Sequence, residues 1–345
     1  MLGLDIWINK FSPETFEDYI GNDAIRKILR NYTQTKLLPN ILITGSHGTC
    51  KKSLARLTAR LYLEDDYERA SIFIDGAVSR SKDIISPCAT KKSAEKYNYF
   101  GLNVLEFAKQ RITLKNNLKR VIIITNFEDM TMDAQNALRR IIETQSATTR
   151  FIIVSNNVEE IIEAIQSRCI VFKTTILTDT EAGELIDKIW LKTQQEGDNS
   201  NSNSKLPDDI KQIIILLSDG DTRKIINYLQ VIASLEKYTT KCFHKVFNIP
   251  PMNLLSAMIN DNQNKEYQQK TLENIDYILK QGYNYADILE MLGKIIPRNK
   301  KLSAELIVEH MEILGRYYST MTPHINTVHL YGLFSEFARL NPLKT

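Results

Sequence analysis

The sequence predicts an α/β protein: a doubly wound parallel sheet with a phosphate-binding-type loop after its first strand, followed by a helical remainder. Three observations predict it. Apolar runs that read as strands alternate with helical patterns up to residue 174, the signature of a parallel sheet covered by helices on both faces. The stretch Asn40-Ile-Leu-Ile-Thr-Gly45-Ser-His-Gly48-Thr49-Cys50-Lys51-Lys52-Ser53 feeds an apolar strand into a Gly-containing loop that opens a helix. Beyond residue 174 the strand signal stops.

Residues 7 to 21 form a mixed apolar and turn-rich lead-in, and a helical pattern runs from Asp23 to about Thr35. Leu37-Leu-Pro-Asn drops the chain into the first strand, and Leu54 to Leu63 reads as the helix after the loop. Ala70 to Asp75 is the second strand. The polar stretch from Ser79 to Tyr99, with Arg80, Lys82, Lys91, Lys92 and Lys96, reads as a solvated loop with helical pieces. A helix is expected from Leu102 to Arg111. Arg120 to Thr125 is a continuous apolar run suited to a central strand. Thr131 can cap the next helix, whose Ala134, Ala137, Leu138, Ile141 and Ile142 recur at helical spacing. Phe151 to Ser155 and Ile170 to Lys173 complete the strands.

A helix is expected from Thr180 to about Gln194, then a low-complexity loop from Glu196 to Ser204. Helices resume at Pro207 and continue through Asp221 to Glu236. From Lys241 onward they are broken at Pro250-Pro251, Pro297, Pro323 and Pro342. The expected domains are 1–174, a nucleotide-binding-type α/β domain; 175–239, helical; and 240–345, all-α.

The loop reads either as a damaged phosphate-binding loop of the form G-x-x-x-x-G-K-[ST], in which backbone N–H groups, a Lys and a helix N-terminus hold the anion, or as an ordinary strand-to-helix turn. Gly45, Gly48 and Lys51 fit, with Thr49 between them. Cys50 stands in the place of the second Gly; if that place needs positive φ, the loop shifts or carries strain of roughly 1–2 kcal/mol. Lys52 stands where a Ser or Thr hydroxyl would reach Mg²⁺. Sliding the register to Lys52-Ser53 puts Ser46 and Lys51 on both required glycines. Either register is damaged.

With 44 basic and 41 acidic residues the chain is nearly balanced, so nucleic-acid contact would come from local patches. No run approaches the roughly 18 apolar residues of a membrane span, and Met1-Leu-Gly-Leu-Asp lacks the pattern of a secretory leader. Cys50, Cys88, Cys169 and Cys242 are far apart, with no C-x-x-C pair and no His at ligand spacing. No metal site or disulfide framework is expected, and the reading is an intracellular, reducing compartment.

Several separate blocks carry a resemblance: Trp7 to Pro13 with Tyr19-Ile-Gly-Asn22; Leu38 to Gly45; Asp133-Ala-Gln-Asn-Ala-Leu-Arg-Arg140; Thr149-Arg-Phe151 with Asn156; Ser167-Arg-Cys169; and Gly220-Asp-Thr-Arg223. In this order they resemble the small subunits of replication factor C, the eukaryotic and archaeal sliding-clamp loader, within the AAA+ ATPases. The ordered set, spanning residues 7 to 230, is specific where Ser-Arg-Cys alone is not. The resemblance implies an AAA+ P-loop sheet domain, a helical lid over 175–239 and an all-α collar over 240–345 that assembles the complex.

The resemblance also implies roles. Where active members carry Asp-Glu after the third strand, this chain reads Thr125-Asn126, a pair that neither holds the cation as a carboxylate does nor takes a proton from water. Glu128 and Asp129 lie two or three residues too late and read as acidic residues ahead of a helix N-terminus. With Lys52 also in place of the loop hydroxyl, own hydrolysis is not expected. The pattern resembles the family's non-hydrolysing small subunit, although Cys50 departs further. An ammonium at Lys52, near the vacant metal position, would let ATP or ADP bind weakly and statically, without functional Mg²⁺. Asn156 matches the first sensor and Arg223 the second, leaving them residual phosphate contacts. Arg168 matches the arginine finger, acting in trans on a neighbour's γ-phosphate, an effect of about 10³–10⁵ in rate in related hydrolases.

Implied partners are the other clamp-loader subunits in a hetero-oligomer, a pentamer; a ring-shaped sliding clamp of the PCNA type; and primer-template DNA, in the nucleus or another site of replication. Candidate DNA contacts are Lys109, Arg111, Arg139 and Arg140, each also readable as a solvated or interdomain ion-pair residue. Two rivals stay open: an active AAA+ ATPase that tolerates the substitutions, and an AAA+-fold adaptor outside replication.

Overall fold

Five apolar, largely β-branched runs supply the sheet. The computed structural model describes residues 6–78, 104–109, 118–196, 206–235, 240–260, 265–299, 301–320 and 328–340. The expected strands form as β1 (Ile41–Gly45), β2 (Ser71–Asp75), β3 (Arg120–Thr125), β4 (Thr149–Val154) and β5 (Ile170–Thr174). Their order is β2-β3-β4-β1-β5, with every neighbouring pair parallel.

Successive side chains of a strand point to opposite faces, so a strand covered on both must be apolar throughout. Ile41 and Ile43 join a core with Leu29, Leu54 and Tyr62, whereas Leu42 joins Ile122, Ile124 and Leu138 in the other. All of β3 is buried, Arg120 included, whose Nη2 donates to the carbonyl of Ala108 at 2.6 Å.

Helices α1 (Trp7–Lys10), α2 (Asp23–Gln34), α3 (Lys51–Leu63), α4 (Tyr67–Ala70), α5 (Val104–Lys109), α6 (Met132–Thr144), α7 (Glu163–Gln166) and α8 (Asp179–Glu196) accompany the strands. The expected cap forms: Thr131, in extended conformation, accepts from the Ala134 N–H through Oγ1 at 3.3 Å. The lead-in is fastened to α8, with Asp18 pairing Lys188 at 3.0 Å and Lys192 at 3.1 Å.

Helices α9 (Asp208–Ser218), α10 (Thr222–Ala233), α11 (Thr240–Phe247), α12 (Met252–Asn260), α13 (Lys265–Lys280), α14 (Tyr285–Ile295), α15 (Ala304–Ser319) and α16 (Val328–Leu340) follow. Pro250-Pro251 separates α11 from α12, and Pro297 lies in the 3-10 turn after α14. Among the described residues two compact units are distinguished: Met1–Lys205 with Ser218–Val231, and Leu206–Leu217 with Ile232–Thr345. In the second, the buried His310 ring of α15 lies 4.7 Å from Phe337 of α16, and Lys294 donates to the Leu217 carbonyl at 3.2 Å. Among the described residues no helix is long and apolar enough to cross a membrane. The polar stretch 79–99, Arg111, the loop 197–204, Pro323 and Pro342 lie outside the described residues.

This order brings the carboxyl ends of β1, β3 and β4 together, with β4 between the other two. In open parallel sheets such ends frame the ligand crevice where successive connections leave in opposite directions. Packing of α6 sets the position of β3 and β4. Leu138 is fully buried on that helix, so Leu138→Ala should destabilise the protein by about 2–5 kcal/mol, through lost transfer energy and a residual cavity. Thr131→Ala, which removes only the cap, should lose about 1 kcal/mol. Urea denaturation of the two variants checks this ranking; equal losses would mean α6 is held by its end rather than its face.

Candidate functional site

The site grows out of the turn from β1 into α3. Cys50 adopts φ 55° and ψ 24°, left-handed backbone in which an L side chain is strained. The substituted position therefore keeps positive φ. The thiol meets Thr222 Oγ1 at 2.9 Å, and burial pushes its pKa up, so it stays a neutral thiol. Gly48 has φ +77°, and a Cβ there would collide with the Asp221 carboxylate. Thr222 closes the same contact, its N–H donating to the Gly48 carbonyl at 3.1 Å and its hydroxyl at 2.6 Å. Thr49 Oγ1 donates to the Ser46 carbonyl at 3.0 Å and lies 2.9 Å from Thr174 Oγ1, while Tyr19 donates to the Thr49 carbonyl at 3.3 Å.

A cleft of about 280 Å³ opens over this turn, lined by His47 to Lys52 and by Asn126, Val154, Ser155, Asn156 and Arg223. The sequence-predicted residues Gly48, Thr49, Cys50, Lys51, Lys52, Asn156 and Arg223 thus meet in one place. Gly45 ends β1 beneath them, packed against Thr174, and Ser53 sits half-buried in the first turn of α3 without lining the cleft. Lys51 is buried and donates to the carbonyls of Gly45 at 2.7 Å and Ser46 at 2.5 Å. Burial lowers its pKa to about 8, against the opposing pull of the Glu128 carboxylate. An ammonium and a helix N-terminus facing a polar cleft fit the phosphates of a nucleotide.

The donor set does not fit Mg²⁺. Lys52 puts an ammonium 3.9 Å from Asp75 Oδ2, and Asn126 donates from Nδ2 to Asp75 Oδ1 at 2.7 Å. Asn126 itself is left-handed, φ 50°. Thr125 Oγ1, at the end of β3, is buried without a hydrogen-bond partner. A cation needs several anionic or carbonyl oxygens converging, and here a fixed positive charge stands beside the Asp75 carboxylate. Among the described residues no group of three or more His, Cys, Asp or Glu is placed to hold a metal.

Sequence reasoning assigned Glu128 only a place ahead of α6. The carboxylate instead turns to the site: Oε1 accepts from Asn156 Nδ2 at 2.5 Å, and Oε2 is buried with no hydrogen-bond partner. Asp75 and Thr222 were also missed. Asp75 ends β2 at the same sheet edge as the loop, and that shared edge was the available signal.

Arg168 lies elsewhere, in the turn after α7. Its Nη1 donates to the Ala164 carbonyl at 2.6 Å and its Nη2 pairs with Glu143 at 2.6 Å. The segment leading to it is tied to α6 by buried Gln135, which donates to the Glu160 carbonyl and accepts from the Ile162 N–H, both at 3.0 Å. Arg140 is exposed on α6, Arg139 is half-buried there, and Lys109 is exposed on α5. None of the three lines the cleft.

Residues 20–177 match the family model described as DNA polymerase III, delta subunit. The chain is 29% identical over 255 residues to "Replication factor C small subunit" of Staphylothermus marinus, covering 74% of this chain and 70% of that protein. It is 28% identical over 334 residues to "Probable replication factor C subunit 2" of Dictyostelium discoideum, covering 96% and 91%. Among solved structures, a Thermotoga maritima RuvB chain superposes with TM-score 0.50 at 15% identity, covering 83% of this chain and 88% of that one, a likeness of fold alone. The sheet order agrees with this likeness: along most of its length the chain is similar to replication factor C small subunits.

Proposed function

We propose that this chain is a structural subunit of a clamp loader: it helps place a ring-shaped sliding clamp of the PCNA type on primer-template DNA and does not turn over ATP itself. One observation carries the second half. Lys52 pairs with Asp75, which also accepts from Asn126, and in this reading the fixed cation takes the place of an exchangeable one. A nucleotide held by Lys51, the loop N–H groups and this ammonium binds without Mg²⁺ and meets no carboxylate at 125 or 126 to activate water.

The same reading gives the chain a sheet domain over 1–174, a lid over 175–239 and a collar over 240–345 in a hetero-pentamer. Arg168 is the arginine finger for the adjacent subunit, and Lys109, Arg111, Arg139 and Arg140 supply DNA phosphate contacts. Similarity to replication factor C subunits supports the assembly, and replication sites such as the nucleus are where it would act. A second reading, residual hydrolysis, has one observation in its favour: the Glu128 carboxylate bonded to Asn156.

The purified chain should show no Mg²⁺-dependent ATPase above background. Thr125→Asp with Asn126→Glu and Lys52→Thr, tested in parallel, asks whether the missing ligands suffice. Turnover by the unmodified chain that is lost in Glu128→Gln would establish the second reading instead.

Titration with a labelled ATP should give weak, saturable binding that chelation of Mg²⁺ leaves unchanged. Its pH dependence follows from Lys51. Below about pH 8 the empty site already holds the ammonium, so affinity is flat. Above it, binding the anion must take up a proton, and affinity falls by up to about tenfold per pH unit. Lys51→Arg should flatten the profile. No saturation at millimolar nucleotide would mean the cleft is closed.

In the assembled complex, Arg168→Ala should lower DNA- and clamp-stimulated ATP hydrolysis at the one neighbouring site while assembly is kept. Lys51→Ala should have a much smaller effect. The reverse pattern would make this chain a working ATPase and end the trans-acting reading.

A further inference from the structure

The contacts of Arg168 place its guanidinium between two acceptors of its own chain. Glu143 Oε1, on α6, receives Nη2 at 2.6 Å, and the Ala164 carbonyl receives Nη1 at 2.6 Å. Arg139, one turn before Glu143, approaches the same Oε1 with its Nε at 3.6 Å, and that Nε is buried with no hydrogen-bond partner. One carboxylate oxygen thus faces two guanidinium groups, one from its own helix and one from the turn after α7.

We propose that Glu143 is a positioning residue for Arg168, holding the guanidinium in cis until an anion on the adjacent subunit, the terminal phosphate of its nucleotide, draws it away. The proposal rests on the trans-acting reading of Arg168. A planar fork of donors fits phosphate as well as it fits carboxylate, so one guanidinium serves both partners in turn. Release is easy for two reasons. The pair is only partly shielded, with side chains 37% and 40% exposed, and such ion pairs are weak. Glu143 is also not left bare, because the Nε of Arg139 is in place to complete its contact. The carboxylate has two stable arrangements, and the neighbour's phosphate selects between them.

Holding the finger lowers the fraction of subunits whose arginine is available. Apparent affinity at the neighbouring site falls by that fraction. A triphosphate feels the effect because it presents the terminal phosphate; a diphosphate does not.

The test is a double-variant cycle in the complex reconstituted with the neighbouring subunits, titrating labelled ATP and ADP at the adjacent site. Glu143→Ala should tighten ATP about two- to five-fold, the range an exposed ion pair supports, and leave ADP unchanged. Glu143→Gln, which keeps shape and an acceptor, should fall between it and the native chain. Both gains should vanish in an Arg168→Ala background, an outcome that a purely structural role for Glu143 does not produce. If Arg168→Ala weakens ATP binding while the Glu143 variants change nothing, the cis hold is wrong and the trans-acting reading stands. If Arg168→Ala has no effect on the neighbour, both fall together.

Discussion

The phosphate loop keeps its shape without the second glycine its pattern calls for, and the candidate site depends on how. Positive φ at Cys50 turns the chain so that Lys51 opens α3 directly beneath the cleft. The strain of a left-handed L residue is about 1–2 kcal/mol. It is offset locally: the thiol and the Gly48 carbonyl both engage the Thr222 hydroxyl, and the Thr222 N–H adds a further bond to Gly48. These contacts join the loop to the start of α10.

Charge at the site has been redistributed rather than deleted. The carboxylates expected at the end of β3 are gone, yet Glu128 lies against Asn156 and Asp75 lies against Asn126, so each amide donates to an acid. Lys52 adds a positive charge that needs no metal concentration to be present.

All five strands were legible because each carries an apolar run, and the central β3, covered on both faces, is buried from end to end. The cap at Thr131 and the face of α6 were legible for the same kind of reason, a local rule with one solution. The loop residues could be named from their order, and the conformation of Cys50 followed from the pattern it interrupts. Glu128 was misread because spacing along the chain counts residues, whereas the 3-10 turn Phe127–Asp129 swings its side chain back toward Asn156. Glu143 gave no signal at all: it meets Arg168 across 24 residues of intervening chain, and helical spacing alone ties it only to Arg139.

The chain passes between its two compact units at three points, after Lys205, after Leu217 and after Val231. Helix α10 thereby returns to the first unit, bringing Thr222 and Arg223 to the loop, after α9 has contributed to the second. Neither unit is a continuous stretch of polypeptide, so no single cut yields an intact half. During synthesis the loop remains without its Thr222 clasp until α9 and the start of α10 have been made. Competence of this site for a ligand is therefore acquired late, close to the time the second unit begins to emerge.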